Sequence, residues 1–290
     1  MYIDIACNIT DKLFKPEKID NIIKKCLTDN VIPIFVGLDY KSSLEALNYA
    51  EKFNTYSYVG IHPLHSQNSG NIEEILLQEN NHIIAIGECG LDYYRLQDSH
   101  RDFMEILSDY QIKGVVHSFT GTIEESLELI KKGFYIGING CSLKNELGIE
   151  IVKNLPIERI LIETDSPYCK IRKSYAAYQF CDTFNLSKKI KINYPSNVLQ
   201  IAECISKIKN INIDELSLLL EKNSRSFFVM YETSYDRKNE KYAGVTYPLP
   251  PKTLNKTEIE DKRLFYKKLF GKNLIVTFFN KGERKLLKKL

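Results

Sequence analysis

The sequence predicts an α/β fold built as a (β/α) barrel, and three observations predict it. Short β-branched runs recur from Tyr2 to Glu163, segments of helical apolar spacing separate most of them, and polar residues stand where the runs end. Strands alternating with helices at intervals of about 20–30 residues imply parallel pairing through right-handed crossovers, which a doubly wound sheet and a barrel both satisfy. The polar residues favour the barrel. Asn8, His62, Glu88, His117, Asn139 and Asp165 fall at or just past the C-terminal ends of different runs, and a barrel mouth gathers all such ends, whereas an open sheet uses mainly its switch point.

Taken in order, Tyr2–Ile5 is the first predicted strand. Ile19, Ile22, Ile23, Cys26 and Leu27 mark the helix after it, and Val31–Val36 is the second strand. Leu44, Leu47, Tyr49 and Ala50 carry a weaker helical spacing before the third strand, Tyr56–Ile61; His82–Ile86 is the fourth. Phe103, Ile106, Leu107 and Tyr110 predict the helix leading to Gly114–Phe119, and Leu127, Leu129 and Ile130 the one leading to Phe134–Ile138. Arg159–Glu163 is the seventh strand, which leaves the repeat one unit short of eight. Val198–Lys207 and Ile213–Val229 have the apolar faces needed to complete an outer ring of helices. The barrel is therefore expected over residues 1–230. Residues 231–290 read as a basic linker and extension without an assigned role: Pro248, Pro250 and Pro251 interrupt regular structure, Glu258–Phe270 looks helical and Leu274–Phe279 strand-like.

Composition bounds the rest. With 290 residues, 43% hydrophobic and 27% charged, the chain can bury a sizeable core. Asp4 interrupts the first apolar stretch and no run of eighteen apolar residues occurs, so the expectation is a protein without membrane association, intracellular, in nucleus or cytoplasm. Seven cysteines without C-x-x-C spacing read as reduced thiols rather than a disulfide framework. The net charge of +3 conceals an asymmetry: residues 1–230 hold 25 basic and 30 acidic side chains, residues 231–290 hold 15 and 7. The excess positive charge thus belongs to the tail and says little about the body.

Three positions carry the chemistry. Glu88 follows Ile83–Gly87 and precedes Cys89-Gly90, a carboxylate surfacing from a buried strand between glycines that permit close backbone approach. His117 closes the run Val115-Val116, and Asp165 closes Leu161-Ile162-Glu163-Thr164. Singly, each has a bland reading: a strand-ending ion pair, a hydrogen-bonded core histidine, a turn-forming aspartate before Pro167. Three oxygen and imidazole ligands at three strand ends would instead form one cluster in a barrel mouth, suited to magnesium, manganese or zinc. His62 after Val59-Gly60-Ile61 reaches the same rim, as a donor to a phosphate or as an idle loop histidine; His65 is further off. No serine elbow, phosphate-binding glycine loop or dinucleotide fingerprint occurs. Cys7 and Cys89 read as buried strand-end residues rather than nucleophiles.

Gly60-Ile61-His62-Pro63, Ile86-Gly87-Glu88-Cys89-Gly90-Leu91-Asp92, Val116-His117-Ser118-Phe119-Thr120-Gly121 and Ile162-Glu163-Thr164-Asp165-Ser166-Pro167-Tyr168, in that order, resemble the TatD family of metal-dependent deoxyribonucleases. The resemblance runs from Ile3-Asp4-Ile5 to about Phe228 and includes Asn193-Tyr194-Pro195. It implies a TIM-like barrel, one or two divalent ions (magnesium, with manganese or zinc as alternatives), and phosphodiester hydrolysis of DNA from 3′ to 5′; separately, a monomer is expected. By position, Glu88 matches the family's metal-bridging glutamate, His117 its later histidine ligand and Asp165 its aspartate at the final site strand; Glu88 and Asp165 are expected to be catalytic, and His62, from its place at the rim, to bind substrate. Ala6-Cys7-Asn8 replaces the His-x-His of many relatives, which points to a subfamily. Between Gln97 and Asp98, relatives carry about thirty more residues that supply a helix, a strand and one histidine ligand. This break leaves the barrel lacking one βα unit after residue 97, through either an imperfect fold or a shortened transcript. His100 reads as a surface residue at a helix start rather than as a replacement ligand.

Two further readings stay open beside the nuclease: a catalytically impaired relative retained for binding, and a hydrolase of another substrate such as a cyclic amide. The basic pairs Lys262-Arg263, Lys267-Lys268, Arg284-Lys285 and Lys288-Lys289, interleaved with Phe265, Tyr266, Phe270 and Phe279, suggest a nucleic-acid grip or a solvated basic face.

Overall fold

A computed structural model describes residues 1–62, 65, 70–78, 80–91, 100, 103–105, 113–183, 191–228, 230, 233–236, 241–244 and 273–278. The expected helix at Glu258–Phe270, the basic pairs of the tail and most of the expected helix from Phe103 lie outside them.

The alternating pattern is realised. Strand β1 (Tyr2–Cys7) leads to helix α1 (Pro16–Thr28), β2 (Val31–Val36) to α2 (Tyr40–Phe53), and β3 (Tyr56–Val59) to the short α3 (Ile72–Leu76). Then come β4 (Ile83–Leu91), β5 (Gly114–Val116), α4 (Ile123–Lys131), β6 (Tyr135–Ile138), α5 (Glu146–Asn154) and β7 (Ile160–Ile162). Helices α6 (Val198–Lys209) and α7 (Ile213–Phe227) follow, then a hairpin of β8 (Thr233–Asp236) with β9 (Lys241–Gly244), and finally β10 (Asn273–Phe278). Local chemistry sets several boundaries. Pro16 opens α1, where its missing N–H costs nothing. Asp39 and Thr122 close reciprocal capping boxes at α2 and α4, and Asn54 and Asn210 end α2 and α6 in the left-handed conformation.

One sheet of eight strands results, in the order β1-β2-β3-β4-β10-β5-β6-β7, with every pairing parallel. The seven strands expected within residues 1–230 are all present. The eighth comes from 231–290, the segment expected to lie outside the barrel, and it enters between β4 and β5. The sheet also curls. Ile3, Ile34, Tyr58, Val115 and Leu161, from strands spread across its width, share one buried cluster with Phe227 and Phe228. At its two edges Cys7 bridges to Ser166, whose carbonyl accepts the Asn8 amide at 2.8 Å.

Alternation along each strand separates two faces. Val115 and Leu161 point into the curl, while Val116, Ile160 and Ile162 pack outward in the cluster that α4, α5, α6 and α7 cover. Continuing inward positions two residues on reaches His117 from Val115 and Glu163 from Leu161. His117 and Glu163 therefore line the concave face at the C-terminal end of the sheet.

Candidate functional site

The centre of the site is a buried imidazole between two carboxylates. His117 Nε2 lies 3.3 Å from Glu88 Oε2, and His117 Nδ1 lies 3.5 Å from Glu163 Oε1. All three residues are buried. Burial alone would favour the neutral ring, but the carboxylates of Glu88 and Glu163 outweigh it and hold the imidazole well above its ordinary pKa of 6.5. His62, at the rim after β3, brings its Nε2 within 3.6 Å of the same Glu88 oxygen, and its backbone N–H donates to the Leu38 carbonyl at 2.8 Å.

Glu163 is fixed from several sides. Its Oε1 accepts the Ser118 N–H at 2.5 Å and the Asn139 side-chain amide at 3.0 Å, while Asn139 also donates to the Ser118 hydroxyl. Asn139 is held in turn, its carbonyl oxygen accepting the N–H groups of Cys141 and Ser142. Gly137 makes this approach possible: a Cβ there would stand 2.9 Å from both Glu163 Oε2 and the His117 Cα.

Asp165 follows β7 in a left-handed conformation, φ +50°. Asn8 donates its amide to Asp165 Oδ1 at 2.9 Å, and the Cys169 thiol donates to Oδ2 at 3.2 Å. The carboxyl pKa is pushed up to about 7: burial raises it, His117 opposes, and Glu88 and Glu163 push it further up. The loop carrying Asp165 is braced by Asp4, which accepts the Thr164 N–H at 2.7 Å and the Thr164 hydroxyl at 2.6 Å. Asn193 adds a third strut by donating to the Thr164 carbonyl at 3.0 Å. Among the described residues, no three His, Cys, Asp or Glu side chains form a group that could by itself hold a metal ion.

The structure thus sets Glu88, His117 and His62 in one contact cluster. Asp165 couples to it electrostatically, through His117 and Glu88, while its hydrogen bonds run to Asn8 and Cys169. Two other histidines stand apart: His65 meets Asp39 at 3.1 Å, and His100 meets Glu128 of α4 at 2.7 Å. Cys7 is fully buried with its thiol pKa raised well above ordinary by burial, then by Asp4, and so is a poor nucleophile at neutral pH. Sequence reasoning missed Glu163, Asp4 and Cys169 as members of the site. Alternation was the available signal for Glu163, which stands two residues before Asp165 and two after Leu161.

A family profile for TatD related DNase matches residues 3–101 and 96–229. The chain belongs to the TatD-related DNase family. The two matched stretches of this TatD chain overlap at residues 96–101, which contain the break expected between Gln97 and Asp98. A TATDN1 homolog of Vairimorpha ceranae is 54% identical over 255 residues, which cover 79% of this chain and 95% of the relative. The deoxyribonuclease Tat-D of Schizosaccharomyces pombe is 32% identical over 293 residues, covering 77% and 94%. In structure, this TatD chain resembles a TatD family hydrolase from Entamoeba histolytica, with a TM-score of 0.65 at 28% identity over 78% of this chain and 97% of the other. No described helix is long and apolar enough to cross a membrane.

Proposed function

We propose that this protein is a divalent-metal-dependent deoxyribonuclease, releasing nucleotides from the 3′ end of DNA at the Glu88, His117 and Asp165 site, within a sheet that closes as an eight-stranded barrel. The carrying observation is the meeting of His117 and His62 at one Glu88 oxygen, in a chain whose relatives are named deoxyribonucleases.

The residues fit a cation. Neither ring nitrogen of His117 makes an aligned hydrogen bond, although both face carboxylates, and Glu163 Oε2 is likewise without a hydrogen bond among the described residues. Asp4, Glu88 and Glu163 are buried alongside, so the cluster is rich in carboxylates. Positive charge of hard or borderline character relieves such an arrangement. These side chains do not form a complete ligand group by themselves, so Glu88, His117 Nε2 and Asp165 would hold the ion together with water or phosphate oxygens, and the ion would supply Lewis acidity toward a phosphate oxygen and toward water. Glu163 keeps Nδ1 of His117 protonated and the ring aimed at Glu88. Asp165, oriented by Asn8, takes a proton from the attacking water, and His62 steadies a phosphate oxygen.

The test is digestion of a 5′-labelled single-stranded DNA oligonucleotide in manganese or magnesium. Wild type should give a ladder shortening from the 3′ end, lost on chelation and in Asp165→Asn. DNA binding without cleavage would support the impaired reading instead, and digestion unchanged in Asp165→Asn would remove this residue from the mechanism.

A further inference from the structure

The two strands that bring Glu88 and His117 together are not neighbours. Glu88 belongs to β4 and His117 follows β5, and β10 lies between them, paired to both. One position of β10 touches both sides of the site in register: Val276 is the partner of Cys89, which follows Glu88, and of Val116, which precedes His117. The pairing with β4 also brackets Glu88. Leu274 partners Ile86 and Val276 partners Cys89, so β4 uses one residue more than β10 over this stretch. A bulge of that kind bends the strand and re-aims the side chain it carries, and here the extra residue falls at Gly87–Glu88. β10 pins the backbone on both sides of it.

We infer that the space between β4 and β5 is a strand-binding slot, filled out of sequence order by the chain's own residues 273–278, and that its filling sets the register in which Glu88 and His117 meet. An empty slot would leave two facing rows of backbone N–H and C=O groups without partners, about 10 Å apart at two strand spacings, or would let β4 and β5 collapse together. Either outcome moves Glu88 relative to His117. The occupant suits the slot in composition, since Leu274-Ile275-Val276 is apolar and its Ile and Val are β-branched, as suits a strand flanked on both sides. Its tether suits it too: residues 245–272 can span more than about 80 Å when extended, far more than the width of one domain. The same length allows a strand from a second copy to enter, which the experiment must separate.

Hydrogen exchange of the full-length chain tests this without reference to DNA cleavage, so its outcome is independent of the proposed activity. Amides of 273–278, 83–91 and 114–116 should be protected together, on the order of 100-fold or more over an unstructured chain. In full-length Ile275→Pro, which removes a ladder donor, protection should fall at least tenfold in all three segments, while 31–36 and 160–162 change less than twofold. A synthetic peptide of residues 270–281 should restore it to the variant. Exchange of 273–278 at the unstructured rate in wild type, with 83–91 still protected, overturns the inference whether or not the variant folds. Protection that scales with protein concentration, with a doubled mass in light scattering, overturns the in-chain version and assigns the slot to a second copy.

Discussion

Gly60 is the position where a single methyl group should report on the whole site. It follows β3 and lies against β4, and a Cβ there would stand 2.2 Å from the Gly87 carbonyl oxygen and 2.3 Å from the Gly87 carbonyl carbon. Ordinary contact begins at 3.4 Å, so Gly60→Ala must drive the two backbones apart by about 1 Å, because no flexible side chain is there to yield. Overpacking of this kind costs about 1–3 kcal/mol, and each kcal/mol lowers Tm by about 2–4 °C in a domain of this size. The displaced residue is the one before Glu88, and misplacing a reacting group by about 1 Å costs roughly 100-fold in rate. Thermal melting together with initial rates on single-stranded DNA measures both effects. A variant that melts with wild type and cuts at the wild-type rate would refute the claim that the close approach of Gly60 to Gly87 sets the position of Glu88.

Three further outcomes are expected. Glu163→Gln removes the charge that faces His117 Nδ1 while keeping an acceptor for Ser118, and should weaken manganese binding by about 10–100-fold, read by calorimetry, with little change in folding. Asp39→Ala removes the capping box of α2 and should cost about 0.5–2 kcal/mol in urea denaturation, with the DNA-cleavage rate per folded molecule unchanged. In chelator, stability should fall as pH rises from about 5 to 8. Asp165 holds its proton up to about 7 in the fold against 3.8 ordinarily, and His117 keeps its own above the ordinary 6.5, so the folded state binds more protons than the unfolded chain across this window. Saturating manganese should flatten or reverse that slope by competing with those protons, as differential scanning fluorimetry across pH would show.

Strands with strong β-branched runs were legible in the sequence because their pattern is local. Val31–Val36 reads the same in both, and the others differ by a few residues for identifiable reasons. The fourth strand extends to Leu91 rather than ending at Ile86 because β10 supplies partners for Cys89, Gly90 and Leu91. The fifth stops at Val116 rather than Phe119, where Ser118 turns to positive φ and its N–H is taken by Glu163. What could not be read was pairing at a distance. Leu274–Phe279 was recognisable as a strand, but nothing local says that it inserts between segments more than 150 residues upstream. Asp4 was hidden in a similar way: it reads as a charge interrupting an apolar run, and only the fold reveals Thr164 waiting to bond it. The meeting of Glu88, His117 and His62 was legible because a curled parallel sheet brings strand ends together whatever the details of packing.

Calorimetric titration of manganese into wild type and into Glu88→Gln, His117→Ala and Asp165→Asn asks whether these three residues hold one ion. Wild type should bind with a dissociation constant on the order of micromolar, weakened by about tenfold or more in every variant. Absence of binding in the correctly folded wild type, or equal affinity in all four proteins, would contradict that assignment.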